Sequence, residues 1–100
     1  MHKIQARIAT ANASRYLQQL CKHWAHKFDV RFTPHAGRVP FSAESVCFME
    51  ADADGLMLEI EAPDSAIAGR LSFLVIEHLQ RFAFREPFAP PEWREVAAAS

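Results

Sequence analysis

Residues 3–9 alternate, with Ile4, Ala6 and Ile8 on one face and Lys3, Gln5 and Arg7 on the other, the period of a half-buried strand. Asn12 then offers an N-cap, and Ala13, Leu17, Leu20, Cys21, Trp24 and Phe28 recur at helical spacing. A first helix is therefore predicted over residues 13–28, with Trp24 centred on its buried stripe. Val30 and Phe32 alternate with Arg31 and Thr33 as a second strand, and His35-Ala36-Gly37 reads as a hairpin turn with Gly37 at positive φ. Val39 and Phe41 mark a third strand, where Pro40 signals an edge or bulged position. Residues 46–50 form a fourth, and Asp52-Ala53-Asp54-Gly55 has the composition of a turn. The clearest strand follows, with Leu56, Leu58, Ile60 and Ala62 set against Met57, Glu59 and Glu61. After Pro63, Asp64 caps a second helix, in which Ile67, Leu71, Leu74, Val75, His78, Leu79 and Phe82 share a face through about residue 84.

The order β-α-β-β-β-β-α predicts an α+β fold, a curved antiparallel sheet with two helices across one face, because each helix has one apolar stripe and each strand one apolar face. One hundred residues suffice for one core, so residues 1–100 are read as one domain with its core at 3–86 and a Pro-rich tail at 87–100. Pro87, Pro90 and Pro91 keep that tail extended, Trp93 is its only large anchor, and the final Ala-Ala-Ala-Ser is expected to fray. Half the residues are hydrophobic, enough for folding without metal or disulfides. Cys21 and Cys47, in a helix and a strand without paired spacing, read as reduced core residues of a cytoplasmic protein. No secretory h-region or membrane-spanning run is present. The acid-free residues 1–25 mimic a transit peptide, but residues 4–28 already have a full role in the domain.

A net charge of −1 hides a segregation. Residues 1–40 hold seven Lys/Arg and one acid, residues 41–64 seven acids and no Lys or Arg, and the remainder four of each. Such asymmetry either steers a charged partner or is neutralised locally between neighbouring strands. The open sheet face is expected to show Lys3, Arg7, Arg31 and Arg38 beside Glu59 and Glu61. With a pI near 6.5 that mixture argues against a nucleic-acid surface. Together with Met57, and Met49 if the register places it there, it suits a small ligand or a protein.

His78 falls in the middle of the second helix's apolar stripe, between Ile67 and Leu71. It reads either as an acid–base group facing a pocket between helix and sheet, with Arg81 as anion anchor, or as a core histidine bonded to a strand carbonyl or to Tyr16 or Ser45. Phe73, Ile76 and Phe84 point away from the stripe, to be covered by the tail through Trp93 or Phe88, or by a second subunit. Arg81, Arg85 and Glu86 are placed to tie the helix end to the tail. His23 and His26 do not converge with Cys21, so no metal site is implied, and Asp52-x-Asp54-Gly55 lacks the later ligands of a calcium loop. There is no G-x-S-x-G, phosphate loop or dinucleotide fingerprint, and nothing pairs Cys47 with a base.

The run Ser14-Arg15-Tyr16-Leu17-Gln18-Gln19-Leu20-Cys21-Lys22-His23-Trp24, the segment 37–41, the run His78-Leu79-Gln80-Arg81-Phe82-Ala83-Phe84-Arg85-Glu86 and Trp93 together resemble the bacterial domain-of-unknown-function family 2218. The H-L-x-R-F-A-F-R-E run is the most specific part. The resemblance implies a bacterial cytoplasmic protein linked to iron handling, since similar domains occur fused to siderophore-interacting ferric reductases. It brings no catalytic residues. The strand order is also similar to the TATA-binding-protein-like fold, which hosts unrelated functions. The leading expectation is a non-enzymatic accessory module that binds a small ligand or a partner protein, with no cofactor, no nucleic acid and no membrane. Arg7, Arg31, Arg38 and Met57 are its candidate ligand-binding residues, suited to a carboxylate-rich or phenolate ligand such as a siderophore. Its rivals are a small enzyme using His78 and Arg81, and a dimerising module; the chain is expected to be a monomer or a homodimer.

Overall fold

The chain is laid out as β1 (His2–Ala9), α1 (Ala13–Trp24), β2 (Arg31–Phe32), β3 (Ala36–Pro40), β4 (Val46–Ala51), β5 (Gly55–Ala62), α2 (Ser65–Phe82) and β6 (Arg94–Glu95) in a computed structural model. Residues 1–96 are described; the C-terminal Ala-Ala-Ala-Ser, expected to fray, lies outside them. The strands form one antiparallel sheet in the order β2-β3-β4-β5-β1-β6. The predicted α+β order stands, and the tail adds a strand to it. Arg94 and Glu95 pair with Gln5 and Ile4, and the Val96 N–H donates to the Lys3 carbonyl at 2.8 Å.

The alternation in β1 and β5 decides which face the helices cover. Ile4, Ala6 and Ile8 stand opposite Ile60, Leu58 and Leu56, all buried. Leu17 and Leu20 of α1 and Val75 and Leu79 of α2 close on them with no exposed surface. Truncating any one of these leucines to alanine costs about 2–5 kcal/mol.

Several local expectations are corrected. The first helix ends at Trp24 rather than at residue 28: Ala25 N–H keeps the helical bond to the Cys21 carbonyl, but Lys27 and Phe28 N–H both turn onto the Trp24 carbonyl. That tighter turn lets the Phe28 ring pack edge-on against Phe41, centroids 5.2 Å apart. Asn12 precedes α1 but makes no side-chain cap; its amide is drawn away to Glu86. Asp64 does cap α2, accepting from the Ile67 N–H at 2.9 Å.

The β2–β3 connection is Thr33-Pro34-His35, in which Thr33 Oγ1 accepts from the N–H groups of His35 and Ala36. Gly37 lies inside β3 and no described residue has a positive φ. Its glycine serves packing instead: a Cβ there would stand 2.7 Å from Cys21 Sγ, so only glycine lets α1 approach β3 this closely. Pro40 pairs with Val46 of β4 beyond the end of β2, where its missing N–H costs no ladder bond on the outer side.

Ile76 was expected to point outward and is buried, because Pro90, Pro91 and Trp93 of the tail lie along that side of α2. Phe73 and Phe84 do point outward and stay 71% exposed, so the tail does not cover them. Among the described residues no helix is long and apolar enough to cross a membrane.

Candidate functional site

Directly opposed residues of paired strands share a face, so the register assembles the uncovered side of the sheet row by row. One row crosses all six strands as Arg31, Arg38, Phe48, Glu59, Gln5 and Arg94. A shorter row beside it runs Ala36, Glu50, Met57 and Arg7. The four predicted ligand-binding residues therefore do share a face, but in two places. Arg31 and Arg38 sit at the β2–β3 corner, whereas Arg7 and Met57 are neighbours on β1 and β5. At about 4.8 Å per strand, the step from β3 to β1 is roughly 14 Å. Met49 belongs to the other side and is buried, because its position in β4 has the opposite parity.

The two halves of this face differ in how their charges are satisfied. Arg7 Nη2 donates to both carboxylate oxygens of Asp52 at 3.0 and 3.1 Å. The Asp54 backbone N–H, and then the Arg7 guanidinium, hold the Asp52 carboxyl below its ordinary range. Gln5 Nε2 donates to Glu59 at 2.6 Å, so the acid in the long row is also engaged. At the corner, Arg31 reaches only Asp29, at 3.6 Å and largely in solvent, and Arg38 has no ion pair among the described residues. Like charges directly opposite one another on a strand pair are destabilising. Here two arginines are placed so, next to Phe48 on the same face; Phe32, 37% exposed, stands in the row of Gly37 and Met49 and reaches the corner only at the sheet's edge.

Depressions among the described residues lie at both ends of this face. The corner depression, of about 440 Å³, is lined by Arg31, Phe32, Arg38 and Phe48. Three further depressions, of about 420, 230 and 470 Å³, all include Met57. Met57 is thus the common wall of one half of the face and absent from the other.

His78 is not at the centre of the core. It is half-buried at the α1–α2 seam, its ring 5.1 Å from that of His23 and 5.3 Å from that of Trp24. Nδ1 lies 2.8 Å from the Leu74 carbonyl of its own helix, and because a carbonyl only accepts, Nδ1 carries the proton. Neither Tyr16 nor Ser45 is its partner, and none of the depressions described here is lined by it. Burial, and then His78, lower the pKa of His23, with His26, Arg81 and Lys27 adding to the effect. Arg81 turns back to Glu77 at 2.8 Å, so His78 and Arg81 do not converge.

Glu86 takes up a role the sequence pattern assigned elsewhere. Rather than reaching the tail, it accepts from Tyr16 Oη at 2.6 Å, from Thr10 Oγ1 at 2.9 and 3.0 Å, and from Asn12 Nδ2 at 3.1 Å. These bonds, Tyr16's foremost, hold its carboxyl below the ordinary value, and burial together with the Glu86 bond raises the Tyr16 phenol. Arg85 stacks on Phe84, 5.4 Å from its centroid, instead of joining the tail. The segment closes α2 onto the β1–α1 connection and α1, and it is built for holding.

Both thiols are unsuited to attack: burial pushes Cys21 up to about 11 and raises Cys47 further. Among the described residues no three His, Cys, Asp or Glu side chains are grouped to hold a metal ion.

The model of DUF2218, described as an uncharacterised protein conserved in bacteria, matches residues 5–94. A similar solved structure is the NMR structure of PA4090 from Pseudomonas aeruginosa, with a TM-score of 0.77 and 32% identity over 100% of each chain. No curated protein matches.

Proposed function

The chain belongs to this family of uncharacterised bacterial proteins, and on that premise we propose that it is a non-enzymatic binding module whose site is the β2–β3 corner of the open sheet face. The observation that carries this reading is the direct opposition of Arg31 and Arg38 beside exposed phenylalanine surface. Arg38, without an ion pair among the described residues, and Arg31, held only by a solvent-exposed contact to Asp29 at 3.6 Å, offer forked donors to a carboxylate or a phenolate. Phe48, on the same face as the arginines, offers a floor for the ring that carries it, and Phe32 borders the depression from the edge strand. An anion placed between the arginines removes their repulsion, so it gains contacts and relieves a cost already present in the free protein.

The ligand class is an aromatic acid or a catecholate, which the resemblance to domains fused to siderophore-interacting reductases independently favours. A single ring fills the corner. A ligand with several such arms, as in a siderophore, extends along the face toward Met57, roughly 10 Å away at two strand spacings. Arg7, bound to Asp52, serves the far end only if that pair opens. The partner is then a small ligand of bacterial iron handling, met in the cytoplasm.

Titration of 2,3-dihydroxybenzoate, followed by backbone amide shifts, tests this. Saturating shifts at Phe32, Gly37, Arg38 and Phe48, with none along α2, are expected. Absence of shifts at millimolar ligand, or shifts confined to other residues, overturns it.

A further inference from the structure

The outer surface of α2 carries a second feature, on the far side of the molecule from the open sheet face. Phe73, near the middle of the helix, is 71% exposed, an unusual cost for a large ring, and the tail residues Pro90, Pro91 and Trp93 border it without covering it. Beside it the Pro90–Pro91 segment and Trp93 wall a groove with Gly69 and Ser72. Among the described residues nothing lies within 4 Å of where a Gly69 Cβ would stand, so this flank is open to an approaching surface.

The charges on this stripe are self-complementary. Arg70 and Glu77 are seven residues apart, two helical turns, and so lie on nearly the same line along the helix, about 10 Å from each other. Their midpoint falls at Phe73. A twofold axis there turns a second α2 antiparallel to the first, brings each Arg70 to the partner's Glu77, and places the two Phe73 rings together on the axis. Arg70 has no ion pair among the described residues, and Glu77, bound to Arg81 at 2.8 Å, keeps an exposed carboxylate able to accept a second donor. A binding partner of uniform charge would meet one of the two unfavourably, whereas a second copy satisfies both twice.

We propose that this face is the interface of a homodimer, formed by antiparallel packing of α2 on α2 about Phe73 with reciprocal Arg70–Glu77 pairs. The open sheet faces point outward in such a dimer, so its failure and the failure of ligand binding are separate results.

Sedimentation equilibrium of the full chain tests it, using Arg70→Glu, Glu77→Arg and Phe73→Glu, all at exposed or half-exposed positions. The wild type is expected to dimerise, and each single variant to weaken association roughly tenfold or more by opposing like charges or removing the axial contact. An equimolar mixture of Arg70→Glu and Glu77→Arg is expected to recover the wild-type dimer fraction, because only the mixed pair restores both ion pairs. A wild type that stays monomeric at its highest soluble concentration overturns the proposal. So does a dimer indifferent to these substitutions, or a mixture no more associated than its components.

Discussion

Two polar clusters, the Glu86 knot and the Arg31–Arg38 corner, show opposite solutions to the same problem. At Glu86 one carboxylate meets three donors, Thr10 and Asn12 of the β1–α1 connection and Tyr16 of α1, each within 3.1 Å. At the corner two like charges face each other across adjacent strands, and among the described residues Arg38 has no ion pair. A fold gains from the first arrangement, since buried or half-buried polar groups cost most when left unpaired. The second arrangement costs stability in the free protein, which makes it a candidate for recognition. The difference separates residues that hold the fold from residues available to a ligand.

The largest expected effect comes from β3, where the two roles sit on adjacent residues. Gly37→Val forces a side chain against Cys21 Sγ, 2.7 Å from the Cβ position, and should lower unfolding free energy by about 2 kcal/mol, read by urea denaturation. Next is Glu86→Gln, which removes the charge that Tyr16, Thr10 and Asn12 are arranged around and should lower the thermal midpoint by several degrees. Its pH dependence follows from the lowered carboxyl: the stabilisation is present above 4.5, the ordinary value, and is lost as pH falls through the lower folded-state value. Below pH 4.5 the wild type should therefore lose stability more steeply than Glu86→Gln, read by thermal scans at stepped pH.

The corner should behave in the reverse manner. Arg38→Gln should leave stability within about 0.5 kcal/mol of the wild type, or raise it at low salt, while weakening aromatic-acid binding roughly tenfold or more. If that variant instead unfolds readily, the two clusters are not different in kind. The smallest effect belongs to Arg7→Gln, which loses an exposed pair with Asp52 and should change neither the thermal midpoint measurably nor the affinity for a single-ring ligand. A loss of affinity there would move the site toward Met57.

The contrast between the clusters was only partly legible in the sequence. Alternation in residues 3–9 and 55–62 reads directly as strands because one face of each is buried and period two has no competitor there. The stripe of α2 likewise survives, apart from Ile76, which the tail covers through a contact no helical wheel contains. Gly37 misleads for a similar reason. A glycine near a turn reads as a turn residue, whereas here it answers the approach of Cys21 from another element. Asn12 shows the same limit, since its cap signal is genuine but its amide is taken by a carboxylate 74 residues away. The arginines of the open face could be named from strand parity alone, but not their grouping. That requires the register, which sets Arg38 against Arg31 and Arg7 against Met57.

The most direct test of the central claim is calorimetric titration of 2,3-dihydroxybenzoate into the wild type and Arg38→Gln at equal, low ionic strength. A saturable isotherm in the wild type that collapses in the variant, with both proteins equally stable, is the expected result. Identical isotherms for the two proteins would contradict it.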